Sequence, residues 1–405
     1  MKTTILTFLF ALGFTFFLQA QFDGNQGLKP QVIPGQYIVE LKAKPVILTS
    51  KRGNNREANV NQSKSARQQL AELNRSVQAS ARISKEAVLN QYQDAMVGFA
   101  AKLSRSQVEM LRQNPNVMGV YPDYTVALGP IKFEKPIKPI IPNRQTVSCA
   151  VEQAGGPAKG GAAKPTWIWI LDTGIDLNHP DLNVQTHPVF AKSFIPGQTP
   201  EDGHGHGTHV AGIAGAKNNF FGSVGVSAGA KVVPVKVLSN SGTGPWSGII
   251  AGLDHVAMYD IPGDVVNMSL GGYGYTDCEN ANPTLRNVVR NLGNAGVWVV
   301  MAAGNDSADA NRNLPGCING NRVYTVGALN CDYSCAGYSN WGSAVDWAAV
   351  GTGVYSTHKN GGYTTMSGTS MATPVVAGII HARGAAPLSA GNVNCSGRNY
   401  RIARR

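Results

Sequence analysis

The 405-residue chain predicts a parallel-sheet α/β domain preceded by a small α+β domain of ferredoxin-like type. Three observations carry that prediction. From Pro165 onward, short apolar runs alternate with helical patterns, as a sheet covered by helices on both faces requires. Before residue 129, alternating strand-like runs flank amphipathic stretches in a much smaller unit. Between them, Gly129–Arg144, "GPIKFEKPIKPIIPNR", carries four prolines and three lysines in sixteen residues and reads as an extended linker that cannot be helix.

Taken in order, residues 1–20 show one lysine, an apolar run of about 14 residues and then small and polar residues, the pattern of a cleaved secretory signal. The run is short for a membrane span, which needs about 20 residues. In the N-terminal unit, "PGQYIVELK" alternates like a strand and residues 62–92 are polar with helical spacing of Leu and Ala. "DAMVGFAAKLS" reads as a strand, "RSQVEMLRQNP" as a short amphipathic helix and "VMGVYPDYTVAL" as a further strand. In the C-terminal unit the strands are expected in "WIWILDTG", "KVVPVKVL", "DVVNMSLGG", "GVWVVMAAGN" and "RVYTVGAL". Helices are expected in "THVAGIAGA", "SGIIAGLDHVAMYD", "PTLRNVVRNLGNAG" and "TSMATPVVAGIIHAR". In such sheets functional groups collect at the carboxyl ends of strands. Asp172 and Asn305 stand at two of those ends.

The net charge of +11 is unevenly placed. Residues 21–143 hold 17 basic and 9 acidic residues, whereas residues 144–405 hold 17 and 15, so the larger unit gives no reason to expect a nucleic-acid partner. All six cysteines, Cys149, Cys278, Cys317, Cys331, Cys335 and Cys395, follow residue 143. An even count behind a secretory signal argues for disulfides, with fifteen pairings open. Zinc is a poor rival, since Cys331 and Cys335 have three residues between them and no nearby histidine.

Chemistry concentrates in three segments. "ILDTGID" puts Asp172 straight after apolar strand residues, where a carboxylate must meet a donor. "EDGHGHGTHVAGIAGA" holds His204, His206 and His209. Only His206 and His209 have i, i+3 spacing, and Gly207 and Thr208 stand where a zinc motif would have its glutamate. His206 therefore starts a tightly packed helix in which Gly207 and Gly212 permit close backbone approach. "GYTTMSGTSMATPVVAG" sets Ser370 at a helix N-terminus, where free N–H groups favour developing negative charge. The order Asp, His, Ser is that of one known catalytic triad arrangement and is not the Ser, acid, His order of the α/β-hydrolase esterases.

"LDTGID", "HGTHVAG" and "SGTSMATP" resemble the motifs of the subtilisin-like serine proteases, and "SGTGPWSGIIAGLDHVA" and "AAGNDSADA" are most similar to the proteinase K branch. The resemblance covers residues 145–405. "GQYIVELK" and "MVGFAAKLS" with "PNVMGVYPD" resemble the family's inhibitory propeptide. The resemblance implies a serine endopeptidase of broad specificity, made as a self-processing zymogen, with Asp172, His206 and Ser370 as triad and Asn305 as oxyanion donor. Gly242, Thr243 and Gly244 on one side, and Ser269, Leu270 and Gly271 on the other, would pair with an extended substrate. Pro245 and Trp246 would flap over an outer pocket, and Asp306 would lie beside the inner one. A catalytically silent binding module is the alternative, and the four intact residues argue against it.

The same resemblance implies a structural calcium ion held by Asp181, the Asn219 side chain, the carbonyls of Lys217, Phe221 and Ser223, and Gln145. A second set, Asp346 with the carbonyls of Asn321 and Val323, rests on one carboxylate. No catalytic cofactor is expected. The expected organisation is a signal peptide over 1–20, a propeptide over 21–128, a linker over 129–143 and a peptidase domain over 144–405. The expected product is a secreted monomer without membrane anchor or nucleic-acid partner, acting on proteins and peptides and inhibited by its own propeptide. The segment after Ser370 is short for the family, and "YRIARR" reads as a finished ending.

Overall fold

The structure is a computed structural model that describes residues 30–50, 52–129, 132–133, 144–159 and 161–405. The signal sequence and most of the linker lie outside the described residues.

The larger unit is built on a ten-stranded sheet. Its order runs Leu388–Cys395, Arg398–Arg404, Trp347–Val350, Val323–Leu329, Trp298–Ala302, Val265–Met268, Ile168–Asp172, Lys231–Lys236 and Asn183–Val184, with Lys192–Ser193 also on Lys231–Lys236. Pairing is parallel except at the Leu388–Cys395 edge. Because side chains alternate along a strand, Ile168 and Ile170 enter one core while Trp169 and Leu171 enter the other. The first core is closed by helices His206–Gly215 and Thr369–Arg383, the second by Trp246–Tyr259 and Pro283–Asn294. The chain goes from Ile168–Asp172 to Lys231–Lys236 on one side, then crosses back to Val265–Met268 on the other. This reversal opens a crevice at the strands' carboxyl ends.

Three disulfides, Cys149–Cys331, Cys278–Cys317 and Cys335–Cys395, resolve the pairing left open by spacing. The last ties down the terminal hairpin, which extends the main sheet where the sequence suggested only a shortened tail.

The N-terminal unit is a βαββαβ arrangement with strand order Val117–Ala127, Gln31–Leu41, Gly98–Lys102, Val88–Tyr92, one face covered by helices Lys64–Ser80 and Arg105–Gln113. Ser104 and Gln107 form a capping box that starts the second helix. The expected helical stretch 62–92 is in fact helices Arg56–Gln62 and Lys64–Ser80 followed by strand Val88–Tyr92. That strand, "VLNQY", is polar enough to pass for helix surface, and pairing with Gly98–Lys102 decides its shape.

This unit docks through buried charge. Asp254, on helix Trp246–Tyr259, accepts the backbone N–H groups of Gln93, Asp94, Ala95 and Met96, the nearest at 2.7 Å. Arg56 grips both oxygens of Asp264 at 2.5 and 2.8 Å and lies 3.6 Å above the Trp167 ring, while Arg52 meets Asp260 at 2.5 Å. The basic excess of the N-terminal third thus includes side chains matched to acids on the other unit.

Candidate active site

Asp172 ends the apolar strand Ile168–Asp172 at the crevice and is fully buried. Opposite it, helix His206–Gly215 begins at His206 after Gly205, whose φ of +108° suits glycine. A Cβ on Gly207 would lie 2.1 Å from the Gly174 carbonyl oxygen and 3.1 Å from the Asp172 Cβ, so only glycine lets helix and strand end approach this closely. His206 Nδ1 then stands 2.7 Å from Asp172 Oδ1, with neither side chain exposed. Asp172 Oδ1 also accepts the Thr173 N–H at 2.7 Å.

Asp202 holds this helix start in place. Its Oδ1 accepts from the N–H of His204 and of Gly205 and from the Thr173 hydroxyl, and its Oδ2 accepts from the N–H and hydroxyl of Thr208. Sequence reasoning passed over Asp202, although an acidic residue just before a helix start is a capping signal. It also passed over Lys236, whose buried ammonium donates to the Thr173 carbonyl and, at 2.9 Å, to Asn240; burial lowers its pKa.

Ser370 is the second residue of helix Thr369–Arg383. The helix is fastened to the sheet by Ser269, whose hydroxyl donates to the Ser370 carbonyl at 2.8 Å and accepts from Asn267 Nδ2 at 2.9 Å. Ser370 Oγ donates to the Ser269 carbonyl at 3.2 Å, and among the described residues His206 Nε2 has no hydrogen-bond partner. Turning about the Ser370 Cα–Cβ bond would change that donor's direction. Asn305 Oδ1 accepts from the N–H and hydroxyl of Thr369 at 2.8 and 2.9 Å, which fixes its amide. The Nδ2 end lies 3.8 Å from where a Cβ on Gly129 would stand.

A strand already occupies the groove beside these residues. Thr125, Val126 and Ala127 pair antiparallel with Pro245, Gly244 and Thr243, Ala127 bridges Gly271, and the Leu128 N–H donates to the Gly242 carbonyl at 2.9 Å. Val126 is buried in the core that contains Trp246 and Leu270. Gly129 lines one cleft with Leu270, Asn305, Asp306 and Ser370. Asp306 accepts from Asn340 Nδ2 at 3.1 Å.

The other two histidines separate. His209 is buried with Nε2 on the Thr364 carbonyl at 3.2 Å, and burial lowers its pKa to about 3, so it stays neutral. His204 stacks edge-on to His206 at 6.4 Å and borders the groove, its Nε2 lying 3.4 Å from where a Cβ on Gly242 would stand, close to Leu128; burial lowers its pKa.

Away from the crevice, Gln145 Nε2 meets the carbonyls of Lys217 and Ser223 at 2.9 and 3.1 Å and Asn219 Oδ1 at 3.1 Å. Asp181 closes the loop by accepting from Asn219 Nδ2 and the Ser223 N–H, both at 2.9 Å, and burial raises its pKa. Turning the Gln145 amide end for end would set its Oε1 beside the Lys217 and Ser223 carbonyls and Asn219 Oδ1, which all converge on its present Nε2 position. Oxygens gathered on one point are the donor set calcium takes, so the residues fit that ion. Phe221 belongs to the same loop, its N–H donating to Asn219 Oδ1 at 3.1 Å. Asp346 instead accepts the Thr325 N–H at 2.8 Å, with its pKa raised to about 6 by burial.

Residues 164–383 match the subtilase family, Peptidase S8, and residues 36–129 match the peptidase inhibitor I9 family. A cuticle-degrading protease of Metarhizium anisopliae is 36% identical over 310 residues, covering 71% of each chain. The alkaline serine protease ver112 of Corniculantispora psalliotae is 35% identical, covering 71% of this chain and 72% of its own. Subtilisin E of Bacillus subtilis is 35% identical over 285 residues, covering 69% and 68%. The chain belongs to the subtilase family, a serine endopeptidase with an inhibitory propeptide.

Proposed function

We propose that Ser370 is the nucleophile, His206 its general base and Asp172 the residue that holds the imidazole tautomer, in a secreted endopeptidase of broad specificity. The observation that carries this is the fully buried Asp172–His206 contact of 2.7 Å beside the Ser370 helix, with a strand of the chain's own N-terminal unit laid along the same groove. Ser370 Oγ attacks the substrate carbonyl as its proton passes to His206 Nε2, and the same proton goes to the leaving amine. Asn305 Nδ2 and the Ser370 N–H receive the developing oxyanion. Gly242, Thr243, Gly244, Ser269, Leu270 and Gly271 hold substrate by main-chain pairing, which reads few side chains and so leaves specificity broad. Release of casein fragments, lost in Ser370→Ala, is the test; a Ser370→Ala chain that still hydrolyses casein contradicts these roles.

The proposed organisation is signal peptide 1–20, propeptide 21–128, linker 129–143 and enzyme 144–405, with a monomeric, unanchored product. Among the described residues no helix is long and apolar enough to cross a membrane. Asp181, Asn219, Gln145 and the carbonyls of Lys217, Phe221 and Ser223 would hold a calcium ion that fixes the 217–223 loop. An ion bound only by the folded state adds RT ln(1 + [L]/Kd), about 4 kcal/mol at roughly a thousandfold excess over Kd. Chelation should lower the melting temperature of a Ser370→Ala chain, and Asp181→Asn with Asn219→Ala should remove most of that response. A double variant with the full response would move the ion to Asp346.

A further inference from the structure

We propose that the strand in the groove presents a bond the enzyme cannot readily cut, and that maturation is made instead at Arg144–Gln145 by a second copy of the enzyme. The inference rests on the roles proposed for Ser370, His206 and Asn305. Register carries it: Ala127 is fixed on Thr243 and Gly271, Leu128 on the Gly242 carbonyl, and the next residue, Gly129, lies in the cleft with Asn305 and Ser370. Beyond the serine, Lys132 and Phe133 pair antiparallel with Ser367 and Met366. The carbonyl beside Asn305 is therefore that of Gly129, and the bond it heads is Gly129–Pro130 in the sequence.

That bond is a poor substrate for two reasons. Glycine puts no side chain into the cleft. Proline's nitrogen carries a ring carbon in place of hydrogen, so the atom to which His206 must return the proton is crowded on the approach side. The same strand pairing that would serve a substrate then serves an inhibitor.

Arg144–Gln145 has the opposite character. Arg144 and Thr146 are exposed, and the cleft wall includes Asp306, a partner for an arginine side chain. Within one molecule this bond is held elsewhere, because Gln145 and Thr146 pair with Gly222 and Ser223 and the Gln145 amide meets three oxygens. A second copy, its groove cleared, can reach it. Water adds across the bond, leaving a carboxylate on Arg144 and an amine on Gln145.

Purified full-length precursor, diluted over a series and followed by mass spectrometry and N-terminal sequencing, tests this. The wild type should mature after a lag, with a half-time that lengthens in proportion to dilution, a new N-terminus at Gln145 and no fragment ending at Gly129. Pro130→Ala should be cut after Gly129 with a half-time independent of concentration. Ser370→Ala precursor should stay uncut alone and give the Gln145 terminus when active enzyme is added. A wild-type fragment ending at Gly129, a concentration-independent wild-type half-time, or a Pro130→Ala chain uncut after Gly129 would each overturn the inference. These failures leave casein hydrolysis and its loss in Ser370→Ala intact, so they are distinguishable from failure of the residue roles.

Discussion

The two units of this chain are held together by different means. The enzyme unit buries a sheet on both faces, is cross-braced by three disulfides and fixes its reactive groups with short bonds from buried neighbours such as Asp202 and Ser269. The N-terminal unit has no cysteine, covers only one face of its sheet with its own helices, and leans on the enzyme through carboxylates and arginines. Apolar cores and disulfides are durable in water. Buried charges are stable only while their partners stay, which suits a part that is later removed.

The largest expected effect tests that dependence. Asp254→Ala leaves four N–H groups of residues 93–96 without their acceptor, and truncating one member of a buried charged contact costs about 3–4 kcal/mol. Leak activity of the intact precursor on a small peptide should rise by about 10²–10³, while the matured enzyme turns over as before. An unchanged leak would mean that the groove strand alone inhibits.

Next, Asn305→Ala should lower turnover by about 10²–10³, the size this donor's removal has in a subtilisin, with little change in precursor stability. Equal losses of turnover and stability would make Asn305 a structural residue.

The smallest effect is a slope. Burial lowers the pKa of His209 to about 3 and of His255 to about 4, against about 6.5 when unfolded. The unfolded chain therefore binds more protons between those values. Stability is complete above pH 6.5 and falls on acidification by about 1.4 kcal/mol per pH unit for each histidine, down to the folded pKa. In a Ser370→Ala background, denaturant unfolding should show His255→Gln flattening that slope by one proton. A slope that does not change would place the acid sensitivity elsewhere.

The parts legible in the sequence are those where local pattern and tertiary environment agree. The strand ending in Asp172 and the helices opening at His206 and near Ser370 carry apolar periodicity and glycine spacing that the fold preserves. Val88–Tyr92 was not legible, because its shape comes from a neighbour and not from its own residues. Nor were the disulfide partners, separated by as many as 182 positions, or the Asp254 contact, whose acceptors and donors come together only on docking. Asp202 was in plain view beside the histidines, but its five hydrogen bonds depend on a loop path that spacing does not reveal.

The account's central claim is that one serine is activated by a buried Asp–His pair and blocked by the chain's own strand. Labelling with a fluorophosphonate, followed by peptide mapping, measures both halves at once. The account predicts stoichiometric label on Ser370 in the matured enzyme and almost none on the intact precursor over the same time. Label on another residue, or equal labelling of Ser370 in precursor and matured enzyme, would contradict it.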